Sequence, residues 1–148
     1  MKIKVLILSL ISSFSLMQVA YAAPTAAEAA AAKQCAYNGE NYGVAVQFEQ
    51  KVQKVLAAND IHAFAKLFTY PITVNQSVSK HEQVRSVKDM IIRYPTIMTE
   101  TMKQYILADQ ASEIFCNDQG VMIGQGSIWF HAGKKSAYPF VINVISHS

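Results

Sequence analysis

The chain has 148 residues, 51% of them hydrophobic and 16% charged, with 13 basic against 10 acidic side chains and a formal net charge of +3. That length is enough for one domain with a hydrophobic core and too short for two. Two of the basic residues, Lys2 and Lys4, lie in an amino-terminal segment that the sequence marks for removal. Without them the balance falls to +1, which asks for neither nucleic acid nor an anionic membrane as partner.

The segment opens MKIKVLILSLISSFSLMQVAYAAPT, a basic start, an apolar stretch over Val5 to Val19, then Ala20-Tyr21-Ala22. This is the layout of a cleavable secretory signal over residues 1–22, cut after Ala22. An uncleaved anchor is the alternative, but Ser9, Ser12, Ser13, Ser15 and Gln18 dilute the apolar stretch, so no membrane anchor is expected after cleavage. The sequence therefore predicts an exported, periplasmic protein. Cys35 and Cys116 would meet an oxidising compartment, where pairing is favoured over two free thiols or a metal site.

Residues 23–40 begin APTAAEAAAAKQ and have little to bury, which predicts a mobile tail or frayed helix ahead of a single domain over 41–148. From Asn41 to Asn59, Val44, Phe48, Val52, Val55 and Leu56 recur at helical spacing, with Gln47, Glu49, Gln50, Lys51 and Lys54 assigned to the polar side. Asp60 stands where an N-cap belongs, before a short second stripe that Pro71 stops. Tyr70 to Val78 alternates as a half-buried strand, with a short companion over Gln83 to Arg85. Ser86 and Asp89 resemble a capping box, opening a helix that Pro95 restarts as a first-turn proline, so that Met98, Met102 and Tyr105 extend its stripe.

The last third predicts a three-strand meander: Ser112 to Asn117, Val121 to His131 and Tyr138 to Ser146. Asn117-Asp118-Gln119-Gly120 makes the first hairpin turn, and Ala132 to Ser136 the second. The central stretch, GVMIGQGSIWF, raises the question of a phosphate loop. Its glycines lead into SIWF, a strand, where a P-loop or a dinucleotide fingerprint needs a helix with exposed amides. Gly124 and Gly126 are therefore read as bending one long strand. On that strand Val121, Ile123, Gln125, Ser127, Trp129 and His131 share one face, and Met122, Gly124, Gly126, Ile128 and Phe130 the other.

The run FTYPITV and the segment FCNDQGVMIGQGSIWF, in an order of helices, strand pair, helix and meander, resemble the NTF2-like superfamily over about residues 41–146. The resemblance implies an α+β fold, an NTF2-like cone with helices packed on a strongly bent antiparallel sheet. It also implies a ligand site at the open end of the cone and, in many members, a homodimer through the sheet. The acid/base pair of the family's enzymes finds no counterpart among these residues.

Candidate site residues follow from chemistry. The strand face ending in Gln125, Ser127, Trp129 and His131 is expected to line a ligand pocket, met from the helical side by Tyr105, Tyr94, Tyr70 and Arg93. The plainer reading of Trp129 and the tyrosines is packing. Asp60, Asp89 and Asp118 are absorbed by caps and a turn, which leaves Glu113, Asp109 and His131 as acid or base candidates. His62, His81, His131 and His147 lack zinc spacing, so neither metal nor cofactor is expected. Three functions fit this pattern. One is a periplasmic binding module for a small apolar ligand or an envelope protein, including an inhibitory or immunity-type protein. The second is a small isomerase, dehydratase or hydrolase using Glu113 or His131 with a tyrosine. The third is a structural dimeric accessory.

Overall fold

The computed structural model describes residues 22–144, so the expected signal segment up to Tyr21, the end of the last predicted strand and His147 lie outside the described residues. The alanine-rich stretch, expected to be mobile or frayed, forms helix α1 over Ala26–Tyr37. Its start is closed by a capping box between Thr25 and Glu28, and Ala31 and Cys35 are buried along its length. Alanine supplies helix propensity but little burial; the docking comes from the Cys35–Cys116 disulfide, whose two residues are fully buried with Cα atoms 4.9 Å apart. Asn38 at the end of α1 adds a bond from its side-chain amide to the Cys116 carbonyl.

Helix α2, Tyr42–Ala57, starts at Asn41, whose side chain accepts the Val44 amide, and buries Ala45, Phe48, Val52 and Leu56. Helix α3, Ile61–Ala65, starts at Asp60, which accepts the Ala63 amide. These caps satisfy amides that have no partner within the helix. Strand β1, Ile72–Asn75, is shorter than expected at both ends: Tyr70 turns its hydroxyl back to the Ala65 carbonyl before it, and after Asn75 the Gln76 amide donates to the Lys80 carbonyl in a turn. Strand β2 is His81–Val84.

Helix α4, Val87–Ile97, is capped by Ser86 as expected, but Pro95 lies inside its last turn rather than opening a new helix. Ring closure at Pro95 removes one donor, while the Met98 amide still reaches the Tyr94 carbonyl, so the helix ends only at Met98. The restart belongs to Thr99, the N-cap of α5, Glu100–Ala108, whose buried residues are Met102 and Ile106 rather than Tyr105.

A 3-10 turn over Ala111–Glu113 leads into β3, Phe115–Asn117, and then β4, Gly120–Ile123; β5, Ile128–Ala132; and β6, Ala137–Asn143. The single strand expected over Val121 to His131 is thus two strands joined by a tight turn. Gly124, Gln125 and Gly126 all have positive φ, 59°, 55° and 87°, a conformation that no extended strand contains. The Ser127 amide and hydroxyl both donate to the Gly124 carbonyl and close the turn.

Among the described residues the protein is an α+β structure of five helices and one open six-stranded sheet, ordered β2-β1-β6-β5-β4-β3. The sheet is mixed rather than wholly antiparallel, because β1 runs parallel to β6. Its inner face packs under the helices: Phe130 of β5 meets Phe48 of α2 with ring centroids 4.7 Å apart, beside buried Val121, Ile123, Ile128 and Ile142.

Candidate functional site

The β4–β5 turn regroups the side chains that a single strand would have arranged. Val121 pairs with Phe130, Met122 with Trp129, and Ile123 with Ile128. Val121, Ile123, Ile128 and Phe130 are therefore the inner face, while Met122, Trp129 and His131 point to the outer face, away from the helices. Register carries one row of outer side chains across the whole sheet: Phe115, Met122, Trp129, Val141, Thr73 and Gln83, from β3 to β2. Its apolar half lies over β3 to β6, and its polar half over β1 and β2.

Beside Trp129 this face is hollowed. A groove of about 530 Å³ is lined by Met122, Trp129, Val78, Asn75, Asn143 and His81, together with Gln125 and Gly126 of the turn. A second hollow of about 270 Å³ shares Asn75, Trp129 and Asn143 and runs on to Phe140 and Gln119. The polar wall is internally fixed. The Asn75 amide donates to the Asn143 side-chain oxygen at 2.6 Å, the Asn143 amide donates to the Gly126 carbonyl at 2.9 Å, and His81 Nδ1 meets the Asn75 oxygen at 2.7 Å. A half-buried indole and a thioether next to amides held in place is a surface that takes an apolar body and orients it by a few hydrogen bonds.

The predicted site residues do not converge. Trp129 and Gln125 line the outer groove, but Ser127 is buried and spends its hydroxyl on the turn. His131, also on the outer face, is stacked on Phe140 and bonded through Nδ1 to Glu40 at 2.8 Å, outside both hollows. Glu40 also accepts the Ala132 amide, so the pair ties the approach to α2 onto β5. Tyr70, Tyr94, Tyr105 and Arg93 lie on the helical side and cannot meet Trp129 through the packed sheet. Burial holds the Tyr70 phenol up at about 12 and raises Tyr94, which sits edge-on to Phe64. Arg93 is absorbed by Glu82 and the Gln83 carbonyl, joining α4 to β2.

Sequence reasoning missed one acid. Glu49, assigned to the polar side of α2, is 1% exposed, with one carboxyl oxygen that has no hydrogen-bond partner. Its spacing from Ala45 and Val52 puts it on the buried stripe, the signal that residue type concealed. Burial first, then the charge of Asp109 and its hydrogen bond, push the Glu49 carboxyl up to about 7. Asp109, at the end of α5, is also raised by burial and in turn accepts the Gly124 amide. Glu113, the other predicted acid, is exposed and caps the 3-10 turn by accepting the Gln110 amide. Neither hollow of the outer face reaches these three carboxyls.

Among the described residues no group of three histidine, cysteine or acidic side chains is placed to hold a metal ion, and no helix is long and apolar enough to cross a membrane. No family model matches the chain, and neither a curated protein nor a solved structure matches it.

Proposed function

We propose that this is an exported, periplasmic binding module whose site is the outer face of the sheet around Trp129, and whose ligand is a small apolar molecule. The observation that carries the reading is the groove of about 530 Å³, which sets Trp129 and Met122 against the fixed amides of Asn75 and Asn143. That volume is in the range of small-molecule sites, and its chemistry is apolar with few oriented polar groups. The signal-like amino terminus and the Cys35–Cys116 bridge support export. The order of helices, strand pair, helices and four strands supports an NTF2-like architecture, with its interior filled by Phe48, Phe64, Phe130 and Met90 instead of open to a ligand.

An enzymatic reading has less support. A general acid or base must reach its substrate, yet Glu49 and Asp109 lie away from both outer hollows, and His131 with Glu40 lies outside them. His81, the one titratable side chain that lines the groove, has its Nδ1 engaged with Asn75 and no acid or base beside it among the lining residues. A protein partner or second copy on the same face is the competing occupant, favoured by Phe115 and Tyr138, which stand on that face opposite Met122 and His131, outside both hollows, and are 37% and 55% exposed.

Trp129 is the sole tryptophan, so its emission reports the groove directly. Titration of the signal-free protein with N-phenyl-1-naphthylamine, an uncharged apolar probe, should quench Trp129 saturably at one probe per chain. Met122→Lys should weaken that binding about tenfold or more, equivalent to about 1.4 kcal/mol. Equal binding by Met122→Lys would remove the groove from consideration. Sedimentation of the same samples separates the competing reading: a dimer that Met122→Lys dissociates, with no probe uptake, makes this face a protein interface.

A further inference from the structure

The β4–β5 turn, which contributes Gln125 and Gly126 to the groove, is seated on the helical layer by two contacts. Asp109 at the end of α5 accepts the Gly124 amide. Gly124 also lies so close to Ile106 of α5 that an added Cβ would come within 2.4 Å of that side chain. Behind Asp109, the carboxyl of Glu49 comes in from α2, only 1% exposed and with one oxygen that has no hydrogen-bond partner. A carboxylate this deeply buried, with an unpartnered oxygen and the acid of Asp109 nearby, is costly to ionise, so the folded protein favours the proton on Glu49. Gln53 of α2 completes the joint by donating to the Ile106 and Asp109 carbonyls at 3.0 and 2.9 Å.

We propose that the Glu49–Asp109 pair is a proton-controlled latch on the β4–β5 turn: with the proton present the turn is seated on α5, and with the proton lost the turn loosens and the groove changes shape. The charges acting on Glu49 make loss of the proton consequential. Asp109 and Glu113 are both acidic; Glu28 of α1 adds negative charge at the adjoining Tyr42, whose hydroxyl is occupied by the Ala111 carbonyl. The turn itself, Gly124 to Ser127, carries no titratable side chain. An ionised Glu49, itself 1% exposed, would thus face the half-buried carboxylate of Asp109, and among the described residues no cation offsets its charge. The strain relieves most readily by withdrawing Asp109, which frees the Gly124 amide. The consequence for ligand rests on the outer-face reading above; the movement of the turn does not.

The test is a pH titration of the amide resonances of Gly124, Gln125 and Gly126 in the signal-free protein between pH 5 and 8.5, beside probe binding over the same range. In the native protein these amides should titrate together with a midpoint of about 7, and probe affinity should change about fivefold or more, the lower end of coupling between linked sites. Glu49→Gln should abolish the titration and hold the turn in its seated state at every pH. Asp109→Asn, which keeps Glu49 but removes its charged neighbour, should move the midpoint downward. Amides that do not titrate, or that titrate alike in native protein and Glu49→Gln, would overturn the latch. Amides that titrate while the probe binds at no pH would uphold the latch and reject the groove as the ligand site; a probe that binds with unchanged affinity would show that the latch does not govern the groove.

Discussion

The two faces of the sheet are built from neighbouring residues of the same strands, and they differ in what they leave unfinished. On the inner face Val121, Ile123, Ile128, Phe130 and Ile142 are each at most 1% exposed, and the polar side chain set among the helices behind them, Glu49, is sealed against a second carboxyl. On the outer face Met122, Trp129, Val141 and Phe140 are only partly covered, and the polar groups beside them form a chain from His81 through Asn75 and Asn143 to Gly126. The inner face is complete as a folding unit and offers a ligand no entrance. The outer face costs less to expose than it would gain by being covered, which is what a recognition surface requires.

Substitutions at adjacent positions on β5 give that contrast its largest expression. Phe130→Ala should destabilise the protein by about 3–5 kcal/mol, the usual effect of emptying a buried aromatic position, whereas Trp129→Ala should change stability by less than about 1 kcal/mol and instead weaken probe binding. Chemical denaturation of both variants, with the probe titration on each folded protein, makes the comparison. A large stability loss in Trp129→Ala would mean that the outer face is a structural layer too.

Glu49→Gln sharpens the contrast from the inner side. An unfolded Glu49 ionises near 4.5, while in the folded protein burial and Asp109 hold its carboxyl up to about 7. The protonated folded form is therefore favoured below the lower value, and its advantage is lost as pH rises through the upper one. Native protein and Glu49→Gln should match in stability near pH 4, diverge as pH rises, and differ above pH 7 by on the order of 3 kcal/mol in favour of the variant. Denaturation midpoints from pH 4 to 8.5 check this, and parallel curves would mean that Glu49 is not held neutral by the fold. A smaller effect is expected at the turn between the faces: Gly124→Ala, with φ of 59° and Ile106 in the way of its Cβ, should cost about 1–3 kcal/mol in the same assay.

These two faces were unequally legible in the sequence. Caps at Asp60 and Ser86 and the hairpin turns at Gly120 and Gly133 are local signals, and each stands where its residue type predicts, while the Cys35–Cys116 bridge, between residues 81 apart, followed from there being two cysteines to pair. The β4–β5 turn was concealed because Ile123-Gly124-Gln125-Gly126-Ser127 alternates like a strand, and alternation cannot reveal that Gln125 takes a positive φ. That one turn moved Val121 and Ile123 inward relative to Trp129 and separated the predicted pocket wall from Tyr70, Tyr94, Tyr105 and Arg93. Glu49 was misplaced for the opposite reason, since its helical spacing pointed inward while its charge argued for water. Its partner Asp109 lies 60 residues away in sequence and comes within reach only through the packing of α5 on α2.

The central claim, that recognition belongs to the outer face, is tested most directly by mapping bound N-phenyl-1-naphthylamine on the folded protein through backbone amide shift changes. The probe has a rival site within the same molecule, a hollow of about 260 Å³ where Lys51, Lys66 and Lys135 surround Val44, Phe48 and Leu67. The expected map centres on Asn75, Met122, Gly126, Trp129 and Asn143, leaving the lysine hollow and the inner face unchanged. Shifts centred on Phe48 and Leu67, or on the residues between α2 and α5, would contradict it.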